Sequence, residues 1–170
     1  MVSAHWGNEN HHKPNKTQKK YAQLFANEGV DVVIGTHPHV IQPVKWVKAK
    51  GHHHKTLVAY SLGNFLNGQY GGDENNQLLG RINFDVVKEP KGVHVENVKW
   101  TSMVNHYEQV KPNNKQTRQH FRIYNLDDYT PQLAQKHGLQ YDSDSEWNIK
   151  HLQDITKDVI DRTFLNEKSL

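Results

Sequence analysis

The strongest constraint on the fold is a strand–helix–strand pattern in the first 36 residues. Val2-Ser3-Ala4-His5 has the character of a buried strand, and residues 31–35 form a short, nearly all-apolar run typical of a parallel strand covered on both faces. The first run meets a polar segment at once, so we expect it to be the tail of a strand in a chain truncated at its N terminus. The pattern predicts one parallel α/β unit.

The connecting segment predicts a helix. Asn15 or Thr17 can cap its first turn, it runs to about Glu28, and Gly29 supplies the stop. Its apolar residues recur at helical spacing. We expect one face of the helix to be formed by Tyr21, Leu24 and Phe25.

Strand signals continue through the middle of the chain. Residues 40–47 and 56–61 predict a β-hairpin, and residues 78–87 and 92–103 alternate apolar and polar side chains as antiparallel strands do. The last of these has a break in its alternation that predicts a β-bulge between Val95 and Val98. We expect its buried face to contain Val93, Val95, Val98 and Trp100.

The chain turns polar from Lys111 onward. Two helical stretches are predicted there, near residues 129–137 and 146–165. The second carries an amphipathic stripe, which predicts packing against a sheet or a partner. The stripe contains Trp147, Leu152, Ile155, Val159 and Phe164.

Composition excludes several classes of function. The 170 residues contain no cysteine, so disulfides, thiolate nucleophiles and Cys-ligated metals are ruled out. The net charge of +3 is too small, and too weakly clustered, for a nucleic-acid binder. No apolar run has the roughly 18–20 residues of a membrane helix, and the N terminus lacks the order of a signal peptide.

Histidine is the residue type that most clearly indicates a functional site. Eight of the 13 histidines, and all of the net positive charge, lie in residues 1–85. His37 and His39 flank Pro38 where a strand ends, so we expect an extended, stiff backbone that directs both rings to one side. His5 closes the neighbouring strand, and carboxyl ends of parallel strands share one edge. The sequence predicts a metal site there.

The sequence allows more than one role for each of the other polar residues at this edge. Glu9 can bind the metal, orient a histidine, contact the substrate, or only solvate its loop. Asn8 has the same possible roles. Asn64 is either an amide beside the site or a turn residue after Gly63. His5 alone is either a ligand or a hydrogen-bonded structural histidine.

Several motifs occur in the order seen in a known family. They are His-Trp-Gly-x-Glu at residues 5–9, Pro14 and Gln18 at the helix start, Gly-Val-Asp-Val-Val-Ile-Gly-Thr-His-Pro-His-Val at residues 29–40, and Tyr-Ser-Leu-Gly-Asn-Phe at residues 60–65. Over about residues 2–66 the chain resembles the CapA family, the PgsA-type bacterial capsule synthesis proteins associated with poly-γ-glutamate.

The resemblance implies an α/β fold, the metallophosphoesterase-like α/β/β/α sandwich with a mixed sheet. The family's opening motifs, which supply acidic ligands, precede the matched part, so the chain is expected to be the C-terminal half. Residues 1–110 would belong to that domain and residues 111–170 would form a helical C-terminal extension.

The resemblance also implies a site and its cofactor. His37 and His39 stand at the family's Gly-x-His-x-His metal ligands, His5 stands at its preceding lone metal histidine, and Asn64 lies beside them. The implied cofactor is a divalent metal ion, Mn, Zn or Fe, in a mononuclear site or, in a complete protein, a dinuclear one.

Two functions follow from the resemblance. One is capsule or poly-γ-glutamate biosynthesis, with the chain assisting synthesis or export of an anionic polymer beside membrane synthase components. The alternative is a metal-dependent hydrolase of phosphoesters or γ-glutamyl amides, with His5 and Asn64 as catalytic residues. Either would act at the extracellular face of the bacterial membrane, anchored by a preceding segment, and an unpaired sheet edge would favour a homo-oligomer. The loop histidines, which would add charge as pH falls, are His11, His12, His52, His53 and His54.

Overall fold

The computed structural model describes residues 1–51, 53–68, 74–90, 92–111, 114–141 and 147–166. Within these ranges the regular elements are β1 (Val2–His5), α1 (Lys16–Asn27), β2 (Val32–Thr36), β3 (Ile41–Lys48), β4 (Lys55–Leu62), β5 (Leu78–Glu89), β6 (Gly92–Gln109), β7 (Arg118–Asn125), α2 (Pro131–Lys136) and α3 (Ile149–Val159). None of the described helices is long and apolar enough to cross a membrane.

The first sheet has four strands in the order β1-β2-β4-β3. β1 and β4 both run parallel to β2, and β3 is antiparallel to β4. This arrangement confirms the predicted parallel unit and the predicted hairpin. It also leaves the outer edge of β1 without a neighbouring strand in the described sheet.

Alternating side chains of the first sheet pack into two different cores. Val32, Leu57 and Ala59 belong to the core shared with the second sheet, whereas Val33 and Val58 pack toward α1. Successive residues of a strand point to opposite faces, so α1 and the second sheet lie on opposite sides of the first. The layers follow the order helix, sheet, sheet.

Helix α1 begins with the predicted cap but buries a different face. The Asn15 side chain accepts from the Gln18 backbone, and the Gln18 side chain accepts from the Asn15 backbone, which makes a capping box. Of the predicted apolar face, Phe25 packs against the core beside α1, but Tyr21 and Leu24 are nearly half exposed. The face against the sheet instead consists of small or hydrogen-bonded residues, which allow close packing: Gln18, Ala22 and Ala26.

The second sheet is antiparallel, with the order β5-β6-β7. The bulge is confirmed: one residue of β5 between Asn83 and Asp85 faces two residues of β6, and Asn97 there has φ +53°. Of the predicted buried face, Val95, Val98 and Trp100 are buried, but Val93 is 41% exposed near the strand end.

The segment after residue 110 contains a strand as well as the two predicted helices. β7 was missed because it is a mostly exposed edge strand in a polar stretch, where Phe121 and Ile123 are too few to make a strand pattern. The segment predicted as a helical extension therefore also contains a strand. The boundary at residue 110 itself stays a prediction.

The C-terminal helices share the core of the two sheets. Trp147, Leu152 and Phe164 are buried in the same cluster as Leu57 of the first sheet and Trp100 of the second, with Ile155 and Val159 packed against it. The predicted amphipathic stripe thus packs against the sheets. Its burial ties residues 147–165 to the part of the chain that carries the histidine-rich edge.

Candidate metal centre

Three imidazole rings meet at the carboxyl edge of the first sheet. β1 ends at His5, which pairs in register with Thr36, the last residue of β2. The ring centroids of His5 and His37 are 4.6 Å apart, and those of His37 and His39 are 5.7 Å apart. The structure thus brings together the three histidines that the sequence placed on one edge.

The backbone of the His-Pro-His loop differs from the expected extended form. His37 has φ +99° and His39 has φ +63°, both in the region that favours glycine. The rings converge because the backbone on both sides of Pro38 turns sharply, not because it is stiff and extended. Such positive φ values in non-glycine residues are costly and concentrate at functional sites.

Glu9 joins two of these histidines in a compact set of ligand atoms. One donor atom each from Glu9, His37 and His39 lies within 4.8 Å of the others. The carboxylate Oε1 of Glu9 is 3.7 Å from Nε2 of His39. Glu9 is exposed and both rings are partly buried, so the set opens to solvent on its carboxylate side.

Asn64 sets the orientation of His39. Its side-chain Oδ1 lies 2.8 Å from Nδ1 of His39. An amide oxygen only accepts, so Nδ1 carries the proton and Nε2 keeps its lone pair, directed toward Glu9. Of the two interpretations offered by the sequence, an amide beside the site and a turn residue, the contact favours the first.

The turn before Asn64 requires glycine. Gly63 has φ +77°, and a Cβ there would lie 2.8 Å from the carbonyl oxygen of Leu78. The backbone N–H of Gly63 donates to the Ser61 hydroxyl at 3.2 Å. This short turn, directly after β4, delivers Asn64 to His39.

A buried chain of amides anchors the loop that carries Glu9. Nε2 of Gln18 donates to Oε1 of Gln42 at 2.7 Å, and Nε2 of Gln42 donates to the carbonyl of His11 at 2.7 Å. Both glutamines are fully buried. Gln42 could not be singled out from the sequence, because a polar residue at the start of a strand is not distinctive. Its partner Gln18 was noted only as part of the motif at the helix start.

A second contact pins the same loop directly to the histidines. The N–H of Asn10 donates to the carbonyl of Pro38 at 2.8 Å. The Asn8 side chain instead accepts from the Asn15 side chain at 2.9 Å, at the cap of α1. Asn8 therefore stabilises the loop, and its proposed contact with substrate or ligands stays a prediction.

Tight packing beneath the carboxyl edge of the first sheet fixes the ends of the strands. The Trp6 indole donates to the Tyr60 carbonyl at 2.9 Å across the top of β2. A Cβ on Gly35 would lie 2.0 Å from that carbonyl oxygen and 2.4 Å from the indole nitrogen. Burial also raises the pKa of Tyr60. Only glycine fits at position 35.

The loop histidines mostly bind backbone carbonyls. His11, His12 and His54 each place one ring nitrogen 2.6–2.9 Å from a carbonyl oxygen, of Glu9, Ile41 and Val30 respectively. His53 is exposed, and His52 lies outside the described residues. These contacts support a structural role for three of the five.

Together these features define an α/β protein with imidazole and carboxylate donors clustered at the carboxyl edge of a parallel sheet. Residues 1–69 match the family described as bacterial capsule synthesis protein PGA_cap. The match confirms the resemblance, and that family's metallophosphoesterase-like fold agrees with the expected α/β class.

Two curated relatives are similar to the chain over one segment of 66 residues. The chain is 36% identical over 66 residues to the PGA biosynthesis protein CapA of Bacillus subtilis (strain 168), which is 39% of this chain and 16% of that protein. It is also 36% identical over 66 residues to the capsule biosynthesis protein CapA of Bacillus anthracis, covering 39% of this chain and 15% of that protein. The match thus spans about a sixth of the relatives' length. No solved structure matches the chain.

Proposed function

We propose that this chain acts in the biosynthesis of a bacterial capsule or of poly-γ-glutamate, and that Glu9, His37 and His39 hold a divalent metal ion. The family match and the names of the two relatives support the first part. The grouping of two imidazoles and one carboxylate within 4.8 Å supports the second, and this grouping is the observation that carries the proposal.

The donor set fits a divalent cation. Imidazole nitrogen combined with carboxylate oxygen suits Zn²⁺, Mn²⁺ and Fe²⁺. Asn64 supports the fit because its contact with Nδ1 leaves Nε2 of His39 free to bind, the arrangement found behind most metal-ligating histidines. His5, with its ring against His37, is the next donor at the edge. A dinuclear site rests on the family resemblance alone.

The geometry favours metal-dependent hydrolysis as the activity. When bound, the cation supplies Lewis-acid activation of water and of a phosphoryl or acyl oxygen. His5 is exposed at the rim, so it can transfer a proton to a leaving group. Asn64 holds the His39 ring and can contact the substrate. The proposed substrates are phosphoesters or γ-glutamyl amides.

An accessory role in polymer handling is the second candidate, favoured by the charge distribution. All of the net positive charge lies in residues 1–85. Lys16, Lys19 and Lys20 are exposed together on α1. A surface of this kind attracts a polyanion such as poly-γ-glutamate through long-range electrostatics.

One assay separates the two candidates. We expect hydrolysis of a phosphodiester or a γ-glutamyl amide in the presence of Mn²⁺, abolished by His37→Ala and retained in His94→Ala, which removes an exposed histidine of the second sheet. Metal binding without turnover would reject the hydrolase. The accessory role then requires that poly-γ-glutamate binding weaken as salt increases, and salt-independent binding would reject it.

We propose the extracellular face of the bacterial membrane as the site of action, beside membrane synthase components. The capsule-related names of the relatives support a surface location. The open edge of β1 supports a homo-oligomer. Labelling of intact cells with an impermeant lysine reagent tests the location, and protection of the exposed lysines of α1 would contradict it.

A further inference from the structure

A second group of two imidazoles and one carboxylate lies on the other sheet. His106 and Glu108 are two residues apart on β6, so their side chains share one face of that strand. His120 lies on β7, the neighbouring strand. No element of the first sheet contributes to this group.

A bulge in β7 directs His120 to Glu108. Between the pairs His106–Arg122 and Glu108–Gln119, one residue of β6 faces two residues of β7. His120 is one of those two and has φ +57°. Bulges of this kind redirect side chains and are frequent beside functional sites.

The carboxylate of Glu108 stands between the two rings. Oε2 is 3.1 Å from Nδ1 of His120, and Oε1 is 3.9 Å from Nε2 of His106. Each carboxylate oxygen therefore faces a different imidazole. A cation with ligand distances of about 2.0–2.2 Å would bind one of these oxygens together with both rings, which requires the His120 ring to turn toward His106.

His106 has a buried nitrogen without a partner. The residue is 2% exposed, and its Nε2 makes no hydrogen bond. Its Nδ1 is 2.7 Å from the Tyr129 hydroxyl, which fixes the ring. Leaving a buried polar nitrogen unsatisfied is costly, so the structure needs a group at this position.

We propose that His106, Glu108 and His120 form a second metal site, for Zn²⁺ or a cation of similar preference, separate from the site at the edge of the first sheet. The donors match zinc, which takes imidazole nitrogen and carboxylate oxygen in mixed sites. Tyr129 is its positioning residue, since its hydroxyl contacts the far nitrogen of His106. His120 is 65% exposed, so its ring can rotate to complete the set.

The chain provides a matched control on the same strand. His94 and Glu96 are also two residues apart on β6, with His94 Nε2 3.3 Å from Glu96 Oε2. Both side chains are more than 40% exposed, and the His94 ring has no buried, unpartnered nitrogen. The control pair therefore has the same His-x-Glu spacing as His106 and Glu108 but lacks a buried ring with an unpartnered nitrogen.

The proposal is tested by titrating Zn²⁺ into the full chain carrying His37→Ala and His39→Ala. These two substitutions remove the histidine donors of the first site. We expect one Zn²⁺ per chain, bound at least about tenfold more weakly after Glu108→Gln or His120→Ala and unchanged after His94→Ala. Both test positions are exposed enough that the variants should fold, and circular dichroism verifies this. Absence of zinc binding, or binding unaffected by either substitution, would overturn the proposal whatever happens at the first site.

Discussion

The side-chain oxygen of Asn64 lies 2.8 Å from Nδ1 of His39 and so links the end of β4 to the His-Pro-His loop after β2. The contact decides which imidazole nitrogen bears the proton. It leaves Nε2 of His39 facing Glu9, at 3.7 Å from its carboxylate. Asn64 thus orients His39 in the way that the proposed metal ion would require, without being a member of the proposed donor set.

Replacing Asn64 should weaken metal binding without unfolding the protein. We expect Asn64→Ala to lower Mn²⁺ affinity by roughly 10–100-fold, because the His39 ring loses its fixed tautomer. Asn64→Asp, which keeps an acceptor oxygen at the same place, should restore most of the affinity. Calorimetric titration measures both, and equal affinities for the Ala variant and the unchanged chain would contradict the role.

Gly35, which lies beneath the carboxyl edge of the first sheet, should not tolerate a side chain. Gly35→Ala forces a methyl group into the Tyr60 carbonyl and the Trp6 indole, and we expect a loss of about 1–3 kcal/mol in the free energy of unfolding. Gly68→Ala is the control, since its added Cβ meets only ordinary contacts with Phe121 at 3.7 Å. Chemical denaturation of both variants gives the comparison, and similar midpoints would argue against the packing described.

The C-terminal helix should be part of the same folding unit as the sheets. Leu152 is fully buried in the shared core, so Leu152→Ala should cost about 2–5 kcal/mol in the free energy of unfolding. The control is Leu24→Ala on α1, where the side chain is 45% exposed and the cost should be below about 0.5 kcal/mol. A separate unfolding transition for the C-terminal part would show instead that residues 111–170 fold independently.

Stability should fall with acid because of His137. Burial lowers its pKa from 6.5 to about 3. Both ring nitrogens are used by the neutral form: Nε2 donates to the Asn105 carbonyl, and Nδ1 accepts from the Leu139 backbone. The unfolded chain therefore binds the proton more tightly than the folded chain.

The lowered pKa of His137 sets the pH range over which the folded state loses stability. As pH decreases from about 6.5 to about 3, protonation of the unfolded state removes up to roughly 1.4 kcal/mol of stability per pH unit. In His137→Gln this contribution to the slope should disappear, whereas His94→Gln, at an exposed ring, should keep it. Denaturation at a series of pH values measures the slopes, and identical slopes for the two variants would rule out His137 as the source.

Much of the first sheet could be predicted from sequence, because its signals are local. The apolar runs of β1 and β2, the cap at Asn15 and the strand-end position of His37 are each visible in a few consecutive residues. Parallel pairing then places the histidines on one edge. The positive φ values of His37 and His39 could not be predicted, since they depend on packing around the loop.

The features that were missed depend on contacts between distant residues. β7 is polar and exposed, and it is a strand only because β6 offers it a ladder of backbone hydrogen bonds. The buried pair Gln18 and Gln42 is 24 positions apart, and neither residue alone distinguishes a buried amide from a surface one. Likewise, α1 buries alanines instead of its aromatic residues because the sheet lies close to it.

The central claim, a metal bound by Glu9, His37 and His39, is tested most directly by calorimetric titration with Mn²⁺. The chain, its His94→Ala control and the double variant His37→Ala/His39→Ala are compared after each is shown to be folded. We predict that the first two bind one Mn²⁺ per chain more than the double variant does. Equal binding in the double variant and the unchanged chain, or no binding in the folded unchanged chain, would contradict the account.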